Sequence, residues 1–186
     1  MVLYSMVDED NKYTRIEFER RFLVSPDGSW RNSVETYSKT YEDKYIRHSR
    51  LRLRVLTDSD SERRVIKLSK KFKSPSVYFR TVNRILLSPD EYQLLFSLEG
   101  DRLTKVRYYS NHLGRVFSID VFSGELDGLV ICETEADSLE DLMSAEPPPY
   151  VTREVTEDPF FDGGNLCSTR REDLLRKLGE AQRLVD

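Results

Sequence analysis

The chain has 186 residues, 38% of them hydrophobic and 33% charged, with 29 basic against 33 acidic side chains and a formal net charge of -4. That length accommodates one domain spanning residues 1–186 with a real core, and the mildly acidic balance argues against sequence-blind binding to nucleic acid, which wants a net basic face. No apolar run approaches a membrane span, and the start MVLYSMVDEDNKY lacks the basic head and apolar stretch of a signal peptide, so a cytoplasmic protein with a frayed lead-in is expected. Cys132 and Cys167 have no metal-like spacing and read as reduced packing residues.

In chain order, period-two patterning predicts strands over about 14–24, 40–47, 50–57, 63–71, 78–87, 102–110, 115–122 and 128–136. Pro26, Asp27 and Gly28 open a short turn or helix after the first strand. Ser88 followed by Pro89, Asp90 and Glu91 is a helix start, with a cap, a proline at the first position and acids in the first turn; the helix then runs to Gly100. Asn111 to Gly114 makes a hairpin turn, Ser138 caps a short helix, and Pro147 to Pro149 form a stiff connector. Leu174, Leu175, Leu178 and Ala181 mark an amphipathic closing helix over about 168–184.

The stretch EFERRFLV, residues 17–24, poses the central question of the pattern. Glu17, Glu19 and Arg21 share one face, against the mostly apolar Ile16, Phe18, Arg20, Phe22 and Val24 on the other. A solvated outer face would account for one such strand. The pattern recurs: Arg50, Arg52 and Arg54 share a face, as do Arg80 and Arg84, Lys105 and Arg107, and Glu133 and Glu135, while Lys67 and Asp120 alternate with apolar neighbours. Signs are sorted by strand, whereas an ordinary surface mixes them, and two helices need an apolar face to pack on. The arrangement that meets both demands is mainly β: a closed eight-stranded antiparallel barrel over about 14–166, with a charged, water-filled lumen and helices on part of its exterior.

Like charges held together repel, and partial burial raises the cost, so such a lumen calls for ligands of opposite charge. The basic set, Arg50, Arg52, Arg54, Lys67, Arg80, Arg84, Lys105 and Arg107, forms a site for a highly anionic molecule, and arginine forks suit phosphate oxygens. Glu17, Glu19, Asp120, Glu133 and Glu135 form an all-oxygen set that points to Mg2+ or Mn2+ rather than zinc. Divalent metal beside polyphosphate is the apparatus of metal-assisted phosphoryl chemistry. There is no GxxxxGK[ST] and no GxGxxG, so a P-loop or kinase reading has no support.

Glu17 to Arg21 resembles the ExExK signature of the CYTH superfamily, the triphosphate tunnel metalloenzymes. The segments that follow it in order, RLRLR (50–54), VIKLSKK (65–71), KVRYY (105–109), SIDVFSGELDGLVICETE (118–135) and REVTEDPFFDGGNL (153–166), extend the resemblance over about residues 14–166. The resemblance implies the eight-stranded tunnel fold. It implies that Glu17, Glu19, Glu133 and Glu135 bind metal, with Asp120 completing a second metal position and orienting the attacking water. It also implies that Arg52, Arg54, Lys67, Lys105 and Arg107 hold triphosphate oxygens, with Arg50 and Arg80 as additions of weaker match, and Arg21, at the last signature position, is placed with this substrate-binding set. Two departures stand out: the last signature position is Arg21 where the family usually has Lys, and Arg cannot become a neutral base; the strand at 80–86 carries Arg80, Val82, Asn83 and Arg84 where many relatives have glutamates.

The function expected is hydrolysis of a small-molecule triphosphate, inorganic triphosphate first. Thiamine triphosphatase, nucleoside triphosphatase and class IV adenylate cyclase are the alternatives within the family. A polyphosphate-binding module is the non-enzymatic alternative, and five clustered carboxylates argue against it. Trp30 and Tyr45 are the aromatic candidates for a base, with packing as the plainer role. His48 and His112 are expected on turns, and an apolar barrel exterior leaves room for a homodimer.

Overall fold

The computed structural model describes residues 13–182, with side chains to residue 179. The expected lead-in and the last turn of the closing helix lie outside the described residues. Nine strands form one sheet: β1 (Thr14–Val24), β2 (Ser38–Ile46), β3 (Leu51–Asp58), β4 (Arg64–Lys71), β5 (Phe79–Leu86), β6 (Gly100–His112), β7 (Arg115–Phe122), β8 (Val130–Ala136) and β9 (Val151–Glu154). Eight of them close into an antiparallel barrel in the order β5-β4-β3-β2-β6-β7-β8-β1, with β1 returning to pair with β5. Closure removes the open edges that a sheet of this size would otherwise expose.

The ninth strand was not expected. β1 is long enough to use one edge twice: Thr14 to Phe18 pair with β5, and Phe22 to Val24 pair with β9, while the other edge pairs with β8. β9 has only four residues and follows the three prolines, so it carries too short an alternation to register as a strand.

Turn chemistry sets the barrel's connections. Leu113 and Gly114, with φ of 52° and 82°, make the two-residue β6–β7 turn that matches strand twist, and the Asn111 side chain accepts a hydrogen bond from the Gly114 N–H at 3.1 Å. Helix α1 (Pro89–Phe96) starts with a full capping box, in which the Ser88 hydroxyl accepts from the Glu91 N–H and the Glu91 carboxylate accepts from the Ser88 N–H. It buries no residue, and Leu94 is 74% exposed. The expectation that this helix covers an apolar barrel wall is corrected. Its Phe96 ring instead lies under Lys44 and Arg102, at 4.5 and 4.6 Å, and its Phe96 carbonyl accepts from Lys44. Helix α2 (Leu139–Met143) is capped by Ser138 and buries Leu142.

The core has two parts. Outside the barrel, Phe22, Val24, Trp30, Phe117, Ile119, Cys132 and Tyr150 cluster on the faces of β1, β7 and β8. Trp30 is therefore a packing residue, tilted against Tyr108 at 5.5 Å. The second cluster lies inside one end of the barrel. The inward positions Leu23, Leu103, Phe122 and Ile131 meet Leu126, Leu129, Phe161, Leu166 and Leu174 there. Short helix α3 (Gly163–Leu166) and α4 (Arg171–Gln182) thus seat on the barrel's end, where α4 buries Leu174 completely. The lumen is charged over part of its length only, because the inward rows of β1, β6, β7 and β8 change from charged to apolar toward that end. Both cysteines are free thiols. No helix among the described residues is long and apolar enough to cross a membrane.

Candidate active site

The charged part of the lumen is a cavity of about 510 Å³. Eleven cationic and seven anionic side chains line it, so the inside is net basic within a net acidic chain. Strand register sorts them. On the acidic wall, Glu19 stands directly opposite Glu135 across the β1–β8 ladder, and Arg21 opposite Glu133. Carboxylates facing one another at this spacing repel. Desolvation within the barrel pushes the Glu135 carboxyl up, and Glu19, Glu17 and Glu133 add to the shift, although the side chain stays open to lumen water. Glu135 makes no ion pair among the described residues. The other acids of this wall are engaged: Glu17 by Arg84, Glu133 by Arg107 and Glu19 by the Arg21 Nε at 3.4 Å. Against the cost of burial, Lys105, Arg107, Arg21 and Lys71 hold Glu133 well below the usual carboxylate range.

The basic wall runs over β2, β3, β4 and β6. Arg54 grips Asp43 with two parallel bonds of 2.5 Å, and Arg52 approaches the same carboxylate at 3.9 Å. Burial alone would raise the Asp43 carboxyl, but Arg54 and Arg52 overcome it and bring it down to about 2. The buried Arg52 Nε–H still lacks an acceptor among the described residues. Lys67 makes no ion pair there either; burial pushes its ammonium down, and Arg84, Arg54, Lys39 and Arg52 push the same way. Burial likewise brings Lys71 down to about 8, with Glu19 and Glu17 opposing and Arg52 and Arg80 assisting. Tyr41 is the hub beneath this wall, with the Arg54, Arg107 and Lys105 cations 4.5, 5.2 and 5.7 Å from its ring centre. Buried cations with unmatched donors are an anion site in chemical terms.

Most residues predicted for the site line this one cavity: Glu17, Glu19, Arg21, Arg52, Arg54, Lys67, Arg80, Lys105, Arg107, Glu133 and Glu135. Two do not. Arg50 precedes β3 in an exposed turn, where the strand's alternation has not begun. Asp120 is fully buried behind the lining, bonded to Lys105 and, at 2.6 Å through both oxygens, to Arg107. It faces cations rather than the cavity, so a metal-ligand role would require breaking both pairs. Arg21, 4% exposed, bonds to the Phe161 carbonyl at 2.8 Å, the Thr156 carbonyl at 3.3 Å and the Asp162 carboxylate at 2.7 Å. Asp43, Tyr41, Lys39, Lys71 and Asp162 also line the cavity and were missed. On β2 both faces carry polar residues, Lys39 and Asp43 inward and Glu42 and Lys44 outward, so alternation gives no signal there. Tyr45 lies in the lining, beside Gly163.

A metal is tested by its donors. Among the described residues no three acidic, His or Cys side chains converge as a ready cluster, because internal cations hold Glu17, Glu133 and Asp120. Glu19 and Glu135 do fit a hard divalent cation: both are oxygen donors, they face each other, and a cation between them relieves their repulsion.

No family model matches the chain. It is 33% identical over 161 residues to the inorganic triphosphatase of Nitrosomonas europaea, a match covering 81% of this chain and 96% of the relative. A crystal structure of the inorganic triphosphatase NE1496 superimposes with a TM-score of 0.53 at 26% identity, over 82% of this chain and 95% of the other. The PH1819 protein from Pyrococcus horikoshii OT3 shares the fold, with a TM-score of 0.50 at 16% identity over 89% and 99% of the two chains. Similarity of that extent to the Nitrosomonas protein, with the ordered motifs standing on one barrel lumen, means that the chain belongs to the CYTH superfamily of triphosphate tunnel metalloenzymes.

Proposed function

We propose that this protein is a divalent-metal-dependent hydrolase of a linear triphosphate, inorganic triphosphate above all. The observation that carries the reading is the pairing of two unlike walls in one lumen. On one, Lys67 makes no ion pair and the Arg52 Nε–H has no acceptor among the described residues; on the other, Glu135 makes no ion pair among them and faces the Glu19 carboxylate. A triphosphate with its metal satisfies both at once.

Arg52, Arg54 and Lys67 would hold phosphate oxygens, since their donors converge on the lumen from adjacent strands. Lys105 and Arg107 would reach the same anion from β6, with Asp120 behind them fixing both side chains. Charge spread over the transferring phosphoryl group would then meet preorganised cations that need no reorganisation during the reaction. Glu19 and Glu135 would hold Mg2+ or Mn2+, with Glu17 and Glu133 beside them. A bound ion supplies charge neutralisation at the phosphate oxygens and activation of a water. Arg21 takes no part in proton transfer: it stays charged and is spent on the end wall of the cavity.

The test is a phosphate-release panel with Mg2+ and Mn2+ on tripolyphosphate, ATP, GTP, thiamine triphosphate and long-chain polyphosphate. Metal-dependent release with tripolyphosphate preferred is expected. Tight binding of all of them with no release would favour a polyphosphate-binding module instead.

A further inference from the structure

The lumen's cationic lining stops at a wall. Residues 155–166 cross the end of the barrel opposite Arg63, which lies exposed at the other end of the cavity lining. Phe161 and Leu166 from this segment sit among the inward Leu103 and Ile131, and Asp162 adds a carboxylate to the cavity surface. An anionic chain that follows the cations inward therefore meets apolar side chains and a like charge.

Arg21 fastens the wall to β1. The Arg21 guanidinium donates to the Phe161 and Thr156 carbonyls and pairs with Asp162, while Arg80 reaches the same carboxylate oxygen at 3.3 Å. The backbone repeats the link: the Arg21 N–H donates to the Thr156 hydroxyl at 3.0 Å, and the Val155 N–H to the Arg21 carbonyl at 2.8 Å. A planar fork can serve three acceptors along a segment, which an ammonium on a flexible stem does not do in one geometry. Gly163 completes the fit, because a Cβ there would lie 2.2 Å from the Tyr45 hydroxyl.

We propose that residues 155–166 form a fixed end wall that limits the number of phosphates the cavity accepts, and that Arg21 and Arg80 are positioning residues holding that wall through Asp162. This rests on the triphosphatase reading and adds to it a chain-length filter, seated where Arg replaces the usual Lys. Longer polyphosphates are excluded at the wall, and triphosphate is accepted.

The test compares tripolyphosphate, tetrapolyphosphate and long-chain polyphosphate on wild type, Asp162→Asn and Arg21→Lys. It reads kcat/KM for each, with calorimetric binding of the same series in the absence of metal and thermal unfolding as a control for folding. The ratio of tetrapolyphosphate to tripolyphosphate is expected to rise about tenfold or more in both variants, through KM for the longer chain. Arg80→Gln, which removes one arm and leaves the Arg21 fork, is expected to shift the ratio less. Wild type that binds or cleaves long chains as well as triphosphate overturns the proposal, as does an unchanged ratio in folded Asp162→Asn and Arg21→Lys. If no phosphate is released from any substrate, the hydrolase reading fails, and the calorimetric series still decides whether chain length is read at the wall.

Discussion

Asp43 offers the sharpest quantitative test of how the lumen is balanced. It is a carboxylate 3% exposed, clamped by Arg54 and approached by Arg52. Its carboxyl lies at about 2 against an ordinary 3.8, and a gap of roughly two units corresponds to about 2–3 kcal/mol at about 1.4 kcal/mol per unit. Because the folded-state value is depressed, that stabilisation is fully present above the ordinary carboxylate range and is lost as pH falls toward 2. Removing one partner of a buried pair typically costs about 3–5 kcal/mol, since the remaining charge is stranded. Asp43→Asn should therefore cost about 2–4 kcal/mol at pH 7, or about 5–15 °C in Tm for a chain of this length. The two stranded arginines are also the proposed phosphate ligands. Saturating tripolyphosphate should raise the Tm of the variant more than that of wild type, narrowing the gap. Thermal unfolding at pH 7, with and without tripolyphosphate, reads both effects, and the gap between the two proteins should narrow as pH falls from about 4 toward about 2. A Tm loss under about 2 °C would refute the reasoning, given about 2–4 °C per kcal/mol. An equal loss with and without ligand would refute the claim that Asp43 and phosphate compete for the same cations.

Arg52→Ala should raise KM for tripolyphosphate about tenfold to a hundredfold, the worth of a hydrogen bond to a charged group, and an unchanged KM would remove Arg52 from the site. Lys71, lowered to about 8 by burial, loses its charge as pH rises through that value, so tripolyphosphate affinity should weaken above pH 8. The same depressed lysine makes the unliganded protein gain stability between pH 8 and 10.5, because only the unfolded chain still binds the proton there; a flat KM profile from pH 7 to 9.5 would contradict the assignment. Gly163→Ala places a Cβ against the Tyr45 hydroxyl and should cost about 1–3 kcal/mol through overpacking, whereas an unshifted Tm would show that the wall is not packed as described.

The barrel was legible because its inward charges recur at every second residue on several strands, and no helix or ordinary surface produces that sorting. Glu17, Glu19, Arg52, Arg54, Lys67, Lys105, Arg107, Glu133 and Glu135 fall in one cavity for that reason. What stayed hidden lies where alternation carries no information. Asp43 and Lys39 sit on a strand polar on both faces. Asp120 has the right parity, yet Lys105 and Arg107 lie between it and the lumen. The apolar plug was hidden because Leu23, Leu103, Phe122 and Ile131 continue inward rows that begin with charges. The end wall follows β9, where the turns and the four-residue α3 are too short for a helical or strand period to register, and only the three-dimensional path brings Asp162 onto Arg21.

The most direct measurement of the central claim is phosphate release from tripolyphosphate by wild type and Glu135→Gln, each with Mg2+, with Mn2+ and with chelator. Release by wild type should require metal, and Glu135→Gln should lose activity by about a hundredfold, the scale seen when a metal site is impaired. The same variant, freed of the repulsion between Glu135 and Glu19, should be no less stable than wild type without metal and should lose the stabilisation that Mg2+ gives wild type. Release that persists in chelator, or a Glu135→Gln variant that turns over and binds metal like wild type, would contradict the account.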